Sequence, residues 1–369
     1  MSKDINIKPY DESTLTKLEI FERYIQAWLP VFIQTPYVDS AAIWDFFAGS
    51  GQDSGGVPGS PLRILRQINY FREQIVEKKM LIRILLNEEM KWKSIDLTKL
   101  VDLSRDQWSL NGLVTVDCRN EDFQVLFPNL YIELKRQPNL IFIDQYGIKH
   151  ITKKIFKMLI ELPKTDFLFF ISSSSMKRFA KTPEFAAIFS DFTPGNFDNV
   201  RLEDVHRMML DYYKRIIPPD NPIRLYPFTL RKGSNVYGLV FGSGHTLGVE
   251  KFLDLAWDQN QLNGEANFDI DDDIGKARCS LFPELRRLTK RECYERDLET
   301  FIRDSGEVTN RQIYEFTIGK GHPKAHAKEC ISRLRKEAKI DFAGQIGFSY
   351  KSCCSSRARI VTVKATDYG

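Results

Sequence analysis

The sequence predicts an α/β protein: a mostly parallel sheet with helices on both faces and an antiparallel edge, followed by a smaller basic helical module. Three observations carry this. Short runs rich in Ile, Leu, Val and Phe alternate with amphipathic stretches between residues 41 and 174. These runs are continuously apolar, as parallel strands buried on both faces require. Charge is also uneven. From Glu284 onward there are 18 Lys+Arg and 12 Asp+Glu, a net +6, which leaves about −2 on the rest. A near-neutral main domain joined to a basic module points to a polyanionic partner.

The elements follow in order. "STLTKLEIFERYIQAWL" places Leu15, Leu18, Phe21, Ile25 and Leu29 at helical spacing, with Ser13 or Thr14 as cap. "AAIWDFF" is a short buried strand that runs into a Gly-rich loop. "SPLRILRQINYFREQIVEK" is one helix with Pro61 in its first turn. "MLIRILL" is the second strand, "IDLTKLVDL" a helix and "GLVTVDC" the third strand. "FQVLFPNLYIELK" is a helix interrupted or reset near Pro128. "NLIFIDQYG" is the fourth strand, "KHITKKIFKMLIEL" a helix and "TDFLFFISSS" the fifth strand. A polar helical insertion spans about 179–221. A hairpin turning at Gly233-Ser234 then supplies the antiparallel edge, and the helix "LGVEKFLDLAWDQ" follows.

With 369 residues, 43% of them hydrophobic, the chain can bury one large core and one small one. The expected division is a main domain at 1–265, an acidic linker at 266–283, a basic domain at 284–352 and a polar tail at 353–369. No apolar run approaches the ~18 residues of a membrane span. The polar "MSKDINIKPYDEST" carries no signal peptide, so a cytoplasmic protein is expected. The six cysteines form no paired C-x-x-C and the five histidines lack metal spacing, so reduced thiols and no metal are expected.

In an open parallel sheet, ligands bind at the carboxyl ends of the strands. "DFFAGSG" sits at such an end. Gly49 and Gly51 let the backbone turn tightly and approach a ligand. The loop lacks the Lys of a Walker phosphate loop, and Ser54 stands where a dinucleotide fingerprint needs its third Gly. Asp53 would repel a pyrophosphate. A cationic or zwitterionic ligand suits this loop better.

Those residues resemble motif I of S-adenosylmethionine-dependent methyltransferases, in the D-x-F-A-G-S-G form of amino-methylating enzymes. The resemblance implies that Asp45, Phe47, Ala48, Gly49 and Gly51 wrap the methionine part of the cofactor. It implies Glu88 as the ribose acceptor and Asn120 or Asp122 at the adenine amine. "DQYG" resembles the D/N-P-P-Y or D-P-F-G catalytic turn, which implies that Asp144, Gln145, Tyr146 and Gly147 hold the target amine. Gln145 departs from that pattern, because proline's fixed φ is lost. Lys17 lies on the first helix, which the resemblance to some DNA methyltransferases would fold over the cofactor, but a solvated helix lysine is the favoured reading.

More narrowly, "KLEIFERYIQAWL", "DFFAGSG", "GSPL", "DQYG" and "FGSGHTLGVEKFLDLAW" together resemble the bacterial three-Cys-motif partner (TcmP) proteins over roughly residues 14–265. The family name implies a separate partner holding a cysteine motif. The last domain resembles a winged helix-turn-helix in its generic form: three helices, then "DFAGQIGFSYK" as the wing. Its third helix would present Lys324, Lys328, Arg333, Arg335 and Lys336 to nucleic acid. The expected activity is methyl transfer to an exocyclic amine of DNA or RNA. The alternative is a non-catalytic partner subunit that keeps the fold and docks protein or DNA.

Overall fold

The computed structural model describes residues 9–145, 147, 149–189, 192, 197–277 and 286–366. The chain divides into two compact units, 1–245 and 246–369.

The first unit is built on α1 (Glu12–Ile33), β1 (Ser40–Asp45), α2 (Ser60–Tyr70), α3 (Arg72–Lys78) and β2 (Leu81–Asn87). It continues through α4 (Lys91–Gln107), β3 (Val114–Arg119), α5 (Phe123–Leu134), β4 (Asn139–Ile143), α6 (Lys153–Ile160) and β5 (Thr165–Ser172). Next come α7 (Ser173–Phe179), α8 (Pro183–Ile188), α9 (Leu202–Ile216) and the hairpin β6 (Arg224–Lys232) and β7 (Asn235–Ser243). The strands form one seven-stranded sheet in the order β3-β2-β1-β4-β5-β7-β6. Pairing is parallel from β3 to β5 and antiparallel on both sides of β7. The sheet is therefore doubly wound and Rossmann-like, and its order reverses between β1 and β4, where a ligand crevice opens. The hairpin turns at Gly233-Ser234 as expected, but its antiparallel strand lies inside the sheet and β6 forms the edge.

Burial explains the strands: every residue of β4, and Ala41 to Asp45 of β1, is buried. Asn139 fixes the start of β4. Its amide donates to Leu134 O, Gln137 O and the Thr165 hydroxyl at 2.6, 2.9 and 2.9 Å, and its oxygen accepts the Trp44 indole N–H at 2.9 Å. α1 is capped by Asp11 and tied to α2 by Glu22, which accepts from Arg63, Arg66 and Gln67 at 2.5–2.9 Å.

Local details differ from expectation. The helix after the Gly loop breaks at Phe71 into α2 and α3. Pro128 lies inside α5 without interrupting it. Leu15 of α1 is 36% exposed, although its spacing matched the buried face.

The second unit begins with α10 (Thr246–Gln259) and α11 (Asp273–Ala277), then α12 (Lys290–Ser305), β8 (Glu307–Thr309), α13 (Asn310–Gly319) and α14 (Lys324–Lys336). It ends with β9 (Ile340–Asp341), α15 (Tyr350–Cys353) and β10 (Thr362–Ala365). The unit boundary falls before α10, not at residue 265, because α10 packs on α13 and α15. The segment expected to form the wing does not supply two paired strands among the described residues. "DFAGQIGFSYK" supplies only the end of β9, and the strand that pairs with both β8 and β9 is β10, from the supposed tail. Buried Asn310 holds the intervening loop. Its amide donates to Gly347 O and Arg359 O at 3.0 and 3.1 Å, and its oxygen accepts the Val361 N–H at 3.1 Å. Thr309 caps α13, through a reciprocal pair with Gln312. Among the described residues no helix is long and apolar enough to cross a membrane.

Candidate functional site

A crevice of about 970 Å³ opens in the first unit at the carboxyl ends of β1, β2, β4 and β5. One wall is the loop after β1. Gly49 and Gly51 adopt φ of 63° and 87°, which an L side chain rarely takes. A Cβ on Gly51 would lie 2.9 Å from Leu100 Cδ2. The Ala48 N–H donates to Asn87 O at 2.8 Å, so Phe47, Ala48 and Gly49 are held against the end of β2 and face the crevice. Asp53 closes the loop from inside by accepting the N–H groups of Tyr10, Gly55 and Val57 at 2.7–2.8 Å. Its charge is spent on the loop and is not presented to a ligand.

Asp45 ends β1 and is fully buried. One carboxylate oxygen accepts the Phe47 N–H at 3.2 Å, while Oδ2 has no hydrogen-bond partner. Burial pushes its carboxyl up to about 7, opposed by Ser60 and the Phe47 N–H and reinforced by Asp144 and Glu88. Asp45 thus supports the loop from within the core, behind the crevice wall that Phe46 and Phe47 form, and its Oδ2 is an unsatisfied acceptor.

Glu88 follows β2, lines the crevice and is half-buried, whereas Glu89 is exposed. Burial raises the Glu88 carboxyl, and its Oε1 accepts the Met90 N–H at 2.8 Å. Asn87 is the anchor that the sequence reading missed. Its amide donates to Phe46 O and Glu121 O, and its oxygen accepts the Glu121 N–H, which joins the ends of β1, β2 and β3. Asp122 does not join the site. It is exposed and caps α5, accepting the Gln124 N–H at 2.6 Å. Asn120 bridges to Glu88 O and Glu89 O, both at 2.8 Å, so its amide is also committed to the backbone.

At the end of β4, Asp144, Gln145 and Gly147 line the crevice; Tyr146 lies outside the described residues. Gln145 is 2% exposed. Its amide donates to Phe170 O at 2.9 Å and its oxygen accepts the His150 N–H at 3.0 Å. The carboxamide therefore stiffens a turn that proline would otherwise stiffen. Asp144 is ion-paired with Lys17 of α1. Lys17 is thus not a solvated helix lysine but a buried one, 8% exposed, that lines the crevice.

His150 was also missed. It is 4% exposed, packs edge-on to Phe47 and Phe123, and its Nδ1 has no partner. Burial, with Lys149 beside it, lowers it to about 4, so it is neutral near pH 7. Phe47, Phe123 and neutral His150 make an apolar, aromatic wall that suits a flat ring. Only the fold itself brings these three together, so no sequence pattern signals them.

No family model matches the chain, and no curated protein matches it. Among solved structures it is similar to a protein assigned as an O-methyltransferase from Klebsiella pneumoniae, at 10% identity and TM-score 0.31 over 63% of this chain and 90% of that one. It is similar to the O-methyltransferase from Bacillus cereus, crystallised in complex with SAH, at 14% identity and TM-score 0.32 over 63% and 91%. It is also similar to a protein from Methanococcus maripaludis assigned as an S-adenosyl-L-methionine-dependent methyltransferase, at 12% identity and TM-score 0.27 over 65% and 96%. Likeness at this level carries no weight for function; the weight lies with the crevice.

The five cations expected to meet nucleic acid on α14 are not equivalent. Lys324 pairs with Asp254 and with Glu250 of α10. Arg333 pairs with Glu295, Glu299 and Glu337. Arg335 lies over the Phe342 ring at 4.1 Å and donates to Phe342 O. Three of the five are therefore engaged within the unit. Lys328 and Lys336 line an open groove on α14 and have no ion-pair partner among the described residues.

Proposed function

We propose that this chain binds S-adenosylmethionine in the crevice and transfers its methyl group to an amine, with an exocyclic amine of nucleic acid as the substrate class. The observation that carries the reading is the loop Asp45–Gly51, where positive-φ glycines stand over a buried carboxylate with one unspent oxygen. A cationic sulfonium beside such a carboxylate relieves an unsatisfied charge, which a triphosphate would not. When bound, the cofactor supplies an electrophilic methyl group. The residues do the rest. Glu88 accepts from ribose hydroxyls, and Phe47, Phe123 and His150 cover the adenine. Asp144 accepts from the target N–H, and the Gln145 turn fixes the angle of approach, so catalysis is mainly positioning. The carboxylate of Asp144 takes the proton that the target nitrogen loses.

Under this reading the chain is a cytoplasmic member of the three-Cys-motif partner group, working with a cysteine-motif protein. Its second unit acts as a winged helix that steers nucleic acid through Lys328 and Lys336. A second reading, a non-catalytic subunit that keeps the fold for docking, is favoured by the departure at Gln145.

Calorimetry with S-adenosylmethionine and S-adenosylhomocysteine tests the first step. Micromolar binding is expected, lost in Asp45→Ala and kept in Asp144→Ala, which should stop transfer to pooled DNA or RNA. Absence of binding by the folded wild type would sink the enzymatic reading and leave the docking subunit.

A further inference from the structure

We propose that Lys17 is itself a methyl acceptor, held in an ammonium subsite that Asp144 and Phe170 form at the acceptor end of the crevice. This rests on the methyl-transfer reading above and adds a substrate within the chain. Lys17 projects from the middle of the first turns of α1 and is 8% exposed, yet it lines the crevice. Its ammonium is ion-paired with Asp144, 127 residues further along the chain. It also sits 4.7 Å from the centroid of the Phe170 ring. Tyr237 stacks on Phe170 at 5.3 Å and 24°, which fixes the orientation of that ring.

A carboxylate and an aromatic face around one cation make a recognition site for an alkylammonium. Stability does not explain the pair. Burying charge costs desolvation that the pair's attraction repays only in part, and replacing a buried ion pair by apolar residues is often neutral or stabilising. A lysine placed there is better explained by the group it presents: a primary amine on the carboxylate that the methyl-transfer reading assigns to the target nitrogen.

The step balances without a further reagent. Asp144 takes one proton from the ammonium and passes it to solvent. The freed Nζ lone pair forms the N–C bond as the S–CH3 bond breaks, and that bonding pair stays on sulfur as a neutral thioether. The product is a charged secondary ammonium, so the subsite keeps its cation.

Two measurements test this. The first needs no cofactor. Lys17→Ala empties the subsite, so calorimetry should show n-butylammonium binding at least about tenfold tighter than to wild type. That gain should vanish when Asp144→Asn is added. If Lys17→Ala does not fold by circular dichroism, Lys17→Gln takes its place. Equal binding by variant and wild type overturns the subsite.

The second uses wild type incubated with methyl-labelled S-adenosylmethionine, digested and mapped by mass spectrometry. One labelled methyl is expected on Lys17, and none in Asp144→Asn. Calorimetry with S-adenosylhomocysteine on the same sample separates two failures. Cofactor bound with Lys17 unmodified overturns this proposal alone. No cofactor bound overturns the methyl-transfer reading and the methylation with it, while the butylammonium result still decides the subsite.

Discussion

The side-chain oxygen of Gln145 accepts the backbone N–H of His150 at 3.0 Å, across the turn that follows β4. Its amide simultaneously donates to Phe170 O at 2.9 Å on β5. One buried carboxamide thus joins the turn to the neighbouring strand and to the aromatic wall of the crevice. Truncation leaves a buried donor and a buried acceptor unmatched. Gln145→Ala should cost ~1–3 kcal/mol, read as a lower urea midpoint at unchanged m. Gln145→Pro, which supplies the proline of the D/N-P-P-Y turn, should be no more stable than the alanine variant, because proline cannot make either bond. A neutral alanine variant would remove the bracing role.

Asp45 should set a pH dependence of stability. Its folded carboxyl is raised by burial to about 7, above the ordinary value of 3.8. Between these values the folded state holds more protons than the unfolded state, so stability falls as pH rises from about 4 through about 7. The full penalty at pH 8 is on the order of 4 kcal/mol. Asp45→Asn should therefore stabilise the protein at pH 8 and not at pH 4, measured by urea unfolding at both. A parallel pH profile for variant and wild type would refute the assignment.

Gly51 should resist substitution. Its φ of 87° strains any L side chain, and the added Cβ would meet Leu100 at 2.9 Å. Gly51→Ala is expected to cost ~1–3 kcal/mol and to weaken cofactor binding by displacing the neighbouring loop. Thermal unfolding and calorimetry on one preparation would read both effects.

The second unit should fail in mild acid. His322 and His326 are buried, with Nδ1 atoms 2.9 Å apart, and both pack on Trp257 and Tyr294. Burial holds both below the ordinary value of 6.5, His326 at about 4. A histidine depressed in this way contributes stability that is complete above pH 6.5 and is lost as pH falls towards 4. Trp257 fluorescence should report a melting temperature that drops by several degrees across that window. His322→Phe with His326→Phe should flatten the drop.

If α14 meets a nucleic-acid backbone, Lys328 and Lys336 carry the contact. Replacing both with Gln should reduce the slope of log K against log salt by about 1.8 for duplex DNA. Replacing Lys324 should instead destabilise the unit, because Glu250 and Asp254 lose their counter-charge. An unchanged salt slope would assign this face to protein docking.

Much of the site's frame was legible because it depends on local pattern. The apolar runs fixed which segments are strands, and a strand ending at Asp45 before Ala-Gly-Ser-Gly fixed where the backbone could open. The residues that complete the site were not legible. Asn87 is the last residue of its own strand, and His150 lies in an unremarkable turn; neither belongs to a spacing motif. Asp122 looked like a ligand residue by position, but helix capping at α5 claimed it.

The sequence by itself determined the alternation of strands and helices from β1 to β5, the hairpin at Gly233-Ser234 and the tight turn at Gly49 and Gly51, because periodicity and φ preference act over a few residues. Only the tertiary structure decided that Lys17 reaches Asp144, that β10 closes the second sheet and that Lys324 is tied to α10. Those pairings join residues that are distant in sequence, and burial and charge compensation select them only once the cores have formed.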